Sequence, residues 1–188
     1  MAEESKKVDK QRRMLLGAGI CGCVGAALGT RIEDVRAAAT ASAGDTLVHF
    51  QGDNEGLPLD PNALAPLEPV LARPRSGSGE IREGTANIIT VIRVPGGELE
   101  PSFEGMAAGD VVAVSAVCTH QGCLVSDVGT FGTAEGKLAC TCHGSIFDPR
   151  MGGERVAGPA PRGLPMLPIT QESGHLVATA GFTGKVGP

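Results

Sequence analysis

Four of the six cysteines and two of the four histidines stand in two hexapeptides, CTHQGC at 118–123 and CTCHGS at 140–145, with sixteen residues between them. Whatever fold the chain adopts, it must present these two loops to each other. Thiolates and imidazoles on paired loops are metal-ligand chemistry, with zinc, iron with sulfide, or a catalytic thiol as the candidates. A catalytic pair needs one cysteine and one histidine, so the duplication favours a bound centre. Two cysteines and two histidines acting as ligands would leave two cysteines over, and an oxidising compartment pairs thiols that no metal holds.

The scaffold expected around these loops is mainly β. Short runs of Val, Ile and Thr alternate with many of the 28 glycines and 13 prolines, a pattern of strands and turns. Strands are expected in TLVHF (46–50), EPVLA (68–72), NIITVIRV (87–94), DVVAVSAV (110–117) and GHLVATA (174–180), with loops at 51–62 and 73–84. The cysteine loops then form an insertion between the strand ending near Val117 and the C-terminal strand. At 188 residues and 41% hydrophobic content the chain can bury one ordinary core. It contains neither Trp nor Tyr, so no step can use an indole or a phenol.

The N-terminus reads as a targeting or anchor segment. Residues 1–13 are a basic n-region with Arg12-Arg13, a pair that suggests twin-arginine export, and 14–29 run without a charge. A single transmembrane helix is expected over 14–36, its basic flank staying in the cytoplasm, and a hinge linker over 37–46. Cleavage near 39–43 and lipidation at Cys23 are the alternatives to a retained anchor. Each places the body, 47–188, outside the cytoplasm. Residues 44–188 carry nine basic and sixteen acidic side chains, which argues against nucleic acid as a partner.

The loops resemble Rieske iron-sulfur proteins of the quinol-oxidising cytochrome complexes, whose motifs C-T-H-x-G-C and C-x-C-H-G-S both stand here intact. A later run, Gly158-Pro159-Ala160-Pro161, resembles the loop that shields the cluster in that family. The resemblance implies an antiparallel β-sandwich with a small inserted cluster-binding subdomain, about 115–165. It implies a [2Fe-2S] cluster with Cys118 and Cys140 on one iron and His120 and His143 on the other. It implies a Cys123–Cys142 disulfide and a hydrogen bond toward the cluster from Ser145. The implied role is the electron-transfer subunit of a bacterial quinol–cytochrome c reductase, an oxidoreductase, with cytochrome b and cytochrome c-type subunits as partners. His120 or His143 would receive the quinol's hydrogen bond and proton. The implied place is the inner membrane, with the cluster domain on its outer face. The alternative is a Rieske subunit of an exported molybdenum oxidoreductase such as an arsenite oxidase.

Two positions depart from that family. High-potential members carry a tyrosine two residues beyond the serine, where this chain has Phe147, so a lower, intermediate potential is expected. Gln121 replaces a frequent leucine beside the first histidine, making the docking surface less apolar unless Leu124 compensates. His49 and His175 have no cysteine neighbours and are expected to be structural or solvated.

Overall fold

A computed structural model describes residues 40–188. These form two antiparallel sheets. The larger contains β1 (Thr46–His49), β2 (Val70–Arg75), β3 (Ile89–Arg93), β4 (Val111–Ser115), β9 (Ile169–Glu172) and β10 (His175–Ala178), in the order β4-β3-β2-β1-β10-β9. The smaller contains β5 (Asp127–Val128), β6 (Leu138–Cys140), β7 (Ser145–Asp148) and β8 (Glu154–Ala157), in that order.

Two strands serve two cores at once. Successive side chains of a strand point to opposite faces. In β3 and β4, Ile89, Val91, Val111 and Ala113 enter one core with Leu47, Leu59, Leu167 and Leu176. Their neighbours Ile92, Val112 and Val114 enter a second core with Leu138, Phe147, Cys118 and Cys140. The near-continuous apolar character of these two segments, interrupted inside β3 by buried Thr90, follows directly, because neither face meets water. The open edge of β4 is closed by residues after the 158–161 loop: Ser115 N–H donates to Pro165 O and Leu167 N–H to Ala113 O, each at 2.9 Å.

Several expectations are corrected here. The loop expected at 73–84 begins late, because Arg73 to Arg75 belong to β2 and pair with β1. The strands β5 to β9 were not anticipated between the expected strands at 110–117 and 174–180. The expected linker at 37–46 is largely built into the body. Thr46 starts β1, Ala41 is 2% exposed in the first core, and its N–H donates to Asn87 Oδ1 at 3.0 Å. Residues 37–39, like the expected n-region and transmembrane helix, lie outside the described residues. Among the described residues no helix is long and apolar enough to cross a membrane.

Asp45 holds this entry point. Its buried carboxylate accepts from Ser42 N–H at 2.8 Å, from the Ser42 hydroxyl at 3.3 Å and from Arg82 Nη2 at 2.9 Å, with Arg82 Nε completing a bidentate pair. The hydrogen bond to Asp45 holds the Arg82 guanidinium above its ordinary value. Removing one partner of a buried, hydrogen-bonded ion pair costs about 3–5 kcal/mol; Arg82 keeps some contact with water, so about 2–3 kcal/mol is expected for Asp45→Ala. At about 2–4 °C per kcal/mol this lowers the melting temperature by about 4–12 °C. A melt shifted by less than 2 °C would show that Asp45 does not anchor the chain.

Candidate metal centre

The second hexapeptide is an extension of a hairpin. Cys140 ends β6 and Ser145 begins β7, and the two are register partners, so the intervening residues are pushed out as a tip. The first hexapeptide has no such frame. β4 has already ended at Ser115, and one isolated bridge, Val117 to Leu124, closes the loop. Both loops nonetheless turn alike. Gly122 N–H donates to Cys118 O and Gly144 N–H to Cys140 O, each at 2.9 Å, with the glycines at φ 78° and 75°. Glycine enters this left-handed region without penalty, which accounts for G at the fifth position of both motifs.

Between the loops the sulfurs divide. Cys123 and Cys142 are bonded to each other, with Cα atoms 6.6 Å apart and nineteen residues of separation. A bridge closing a loop of this length is worth about 3 kcal/mol in a chain-entropy account. Cys118 and Cys140 are free and buried, at 1% and 2% exposure. The Cys140 sulfur lies within 4.8 Å of both disulfide sulfurs, but these are oxidised and offer no thiolate. The disulfide is therefore a clamp beside the site.

The other four donor-type residues of the two loops form two close pairs, Cys118 with Cys140 and His120 with His143. Burial pushes the Cys140 thiol up and its hydrogen bond with Cys118 adds to this, while backbone N–H groups of Cys142 and His143 donate to the sulfur and oppose it. Two buried thiols side by side are costly to ionise unless a cationic centre replaces their protons. The rings of His120 and His143 meet edge to face, with centroids 4.8 Å apart. His120 Nδ1 is buried and has no hydrogen-bond partner, which in a native structure calls for an explanation such as a bound ion. Two free thiols, an orphaned imidazole nitrogen and a second imidazole against it fit an iron-sulfur cluster.

The 158–161 loop is tied to the second hexapeptide, and Arg162 just after it to the first. Ser145 Oγ, fully buried, accepts the N–H of Ala160 at 3.1 Å and still has its own proton to give. Thr119, 1% exposed, donates its hydroxyl to Arg162 O at 2.7 Å. Gly158 comes so close that a Cβ on it would stand 2.4 Å from Ser145 Cα. Pro159 and Pro161 face solvent while Ala160 is buried between them. His143, Gln121 and Leu124 are exposed and His120 is half-buried. His49 and His175 lie on β1 and β10 of the larger sheet. Thr119 and Arg162 were not singled out from the sequence. The only signal was a threonine between two ligand-type residues, and its partner stands 43 positions away.

Residues 78–168 match the Rieske [2Fe-2S] domain family. The chain carries a Rieske domain. Its cofactor is a Rieske-type [2Fe-2S] cluster. A Haloferax mediterranei protein named as the Rieske subunit of a respiratory nitrate reductase is 50% identical over 86 residues, 45% of this chain and 36% of that one. The cytochrome bc1 complex Rieske iron-sulfur subunit of Corynebacterium glutamicum is 40% identical over 116 residues, 61% of this chain and 26% of that one. The soluble domain of Rieske protein II from Sulfolobus acidocaldarius aligns with 54% of this chain and 65% of its own, at 27% identity and a TM-score of 0.40. The chain spans about a third of the length of the Haloferax relative and about a quarter of the Corynebacterium one.

Proposed function

We propose that this Rieske protein is the iron-sulfur subunit of a quinol–cytochrome c reductase, taking electrons from membrane quinol and passing them to a cytochrome c-type haem. Its partners are then cytochrome b and cytochrome c-type subunits, and its place is the outer face of the cytoplasmic membrane, held by the segment at 14–36. The observation that carries this reading is the tip geometry: an exposed His143 and a half-buried His120 stand together, on the same two loops as two buried thiols. Relatives named as bc1 complex subunits support it.

Cys118, Cys140, His120 and His143 would hold the cluster, which supplies one-electron transfer within the class range of about −150 to +300 mV. His120 has its Nδ1 buried, and His143 is exposed. Either can accept a hydrogen bond and then a proton from a quinol hydroxyl. The loop at 158–161 and the disulfide keep water from the thiol side. Because residues 41–46 are pinned by Asp45 and Asn87, a swinging head would pivot upstream of Ala41.

A redox titration of the purified chain at several pH values tests this reading. A positive midpoint that falls as pH rises supports proton-coupled quinol oxidation. A low midpoint independent of pH overturns the quinol reading, and absence of an iron signal overturns the ligand set. The second reading is the one the sequence left open, a Rieske subunit of an exported molybdenum oxidoreductase such as an arsenite oxidase; the Haloferax relative, named as a subunit of a respiratory nitrate reductase, supports a partner other than a quinol–cytochrome c reductase. Copurification with a large molybdopterin subunit instead of a cytochrome b would select it.

Phe147 provides a graded check. It is fully buried in the second core, opposite Leu138 on the strand that Ser145 begins. Phe147→Tyr adds one hydroxyl able to donate toward the site. A net hydrogen bond of about 1 kcal/mol that favours the reduced state is worth about 40 mV for one electron. An upward midpoint shift of that order is expected; no shift would mean that position 147 does not address the cluster.

A further inference from the structure

The two cluster loops are unequally supported. The 140–145 loop grows from paired strands, whereas the 118–123 loop is closed by a single bridge after β4 has ended. Beyond the Cys123–Cys142 disulfide at its far end, the loop is held from outside through Arg162. We infer that Arg162 is a positioning residue for the first cluster loop, bracing it by gripping the segment 185–188; the inference rests on the cluster reading above.

Arg162 works through both its main chain and its side chain. Its carbonyl accepts the hydroxyl proton of buried Thr119, which stands between Cys118 and His120. Its Nη2 donates to Lys185 O at 2.9 Å and to Gly187 O. The gripped segment in turn underlies the first loop. Gly187 is buried, and a Cβ built on it would lie 3.3 Å from Val117 Cγ1. A Cβ built on Gly122 would lie 3.8 Å from Pro188 Cδ. Val117 and Gly122 flank the loop at its entrance and at its turn, so the segment supports both ends of the element that carries His120.

The side-chain chemistry suits this task. A guanidinium is a rigid planar fork that can hold two carbonyls at once, and its bonds are charge-assisted. A lysine ammonium is a flexible point charge and would hold the pair less firmly. One guanidinium nitrogen serves the carbonyls of both Lys185 and Gly187.

Hydrogen exchange by mass spectrometry on the whole chain tests the brace, using wild type, Arg162→Ala and Arg162→Lys. In Arg162→Ala the amides of 118–123 should exchange about tenfold faster, the equivalent of one charge-assisted hydrogen bond, with those of 140–145 unchanged. Arg162→Lys should fall between. Iron should leave Arg162→Ala faster at a fixed temperature, with Arg162→Lys partly restoring retention. If Arg162→Ala does not yield folded protein, Arg162→Lys decides by the same peptides. Wild-type protection of 118–123 in the deciding variant, with faster exchange confined to 183–188, overturns the brace. A wild-type protein without iron would overturn the cluster reading instead, while the exchange pattern would still judge the brace.

Discussion

Cys140→Ser is expected to leave the purified protein with essentially no iron or acid-labile sulfide, while its β structure persists. Cys140 is 2% exposed, hydrogen-bonded with Cys118 and approached by two backbone N–H groups aimed at its sulfur. A serine hydroxyl keeps its proton at neutral pH and brings no negative charge to an iron, so a site that depends on two thiolates loses half its anionic donors. The larger sheet survives because its own core, built on Leu47, Ile89, Val91 and Leu176, contains no member of the site. The second core loses little volume and gains a buried hydroxyl, at about 1–3 kcal/mol if that group finds no partner. Iron and sulfide analysis beside a thermal melt reads both parts. Full iron content in the variant would remove Cys140 from the ligand set.

Gly158→Ala is expected to lower stability by about 3 kcal/mol and to accelerate cluster loss. The new methyl would stand 2.4 Å from Ser145 Cα and 2.5 Å from Gly144 O, both main-chain atoms that cannot rotate away. The residue also sits at φ 88°, where any side chain is strained by about 1–3 kcal/mol, and overpacking adds a similar amount. At about 2–4 °C per kcal/mol the melt should fall by roughly 10 °C. Gly174→Ala separates the two contributions, since Gly174 has a similar φ of 84° and nothing within 4 Å of a Cβ. Its melt should fall by about half as much, with cluster retention unchanged. Equal effects from the two variants would mean that the contact with the second hexapeptide is irrelevant.

The metal-binding character of 118–123 and 140–145 was legible because coordination needs particular residue types at short spacing. Spacing survives in one dimension. The β character was legible for the same reason, and the segments at β3 and β4 stood out as apolar runs. What the runs could not reveal is that alternate residues serve different cores. An unbroken apolar segment says that both faces are dry and is silent about what covers each.

The strands β5 to β8 were illegible because each is four residues or fewer, too short for an alternation to show, although β6 and β7 bury Leu138, Cys140 and Phe147. β8 is Glu-Arg-Val-Ala with three exposed side chains, β5 is two residues long and β6 is three. They are strands because neighbours supply hydrogen bonds, a condition set by partners elsewhere in the chain. The segment 41–46 misled in the opposite direction. Small residues read as a linker, yet Ala41 is small because the core leaves it no room, and Asp45 is polar because Arg82 waits 37 positions away.

Local residue chemistry was therefore enough to indicate a mainly β scaffold with a metal centre on two loops, and the resemblance of their motifs to Rieske proteins supplied the [2Fe-2S] cofactor. The clamps on those loops could not be read in the same way: Ser145 to Ala160, Thr119 to Arg162, and Arg162 to Gly187. Each joins residues fifteen to forty-three positions apart, and a hydrogen bond across that distance leaves no periodicity and no motif in the chain. It exists because the folded backbone brings a donor within 3 Å or so of an acceptor that must not be buried alone.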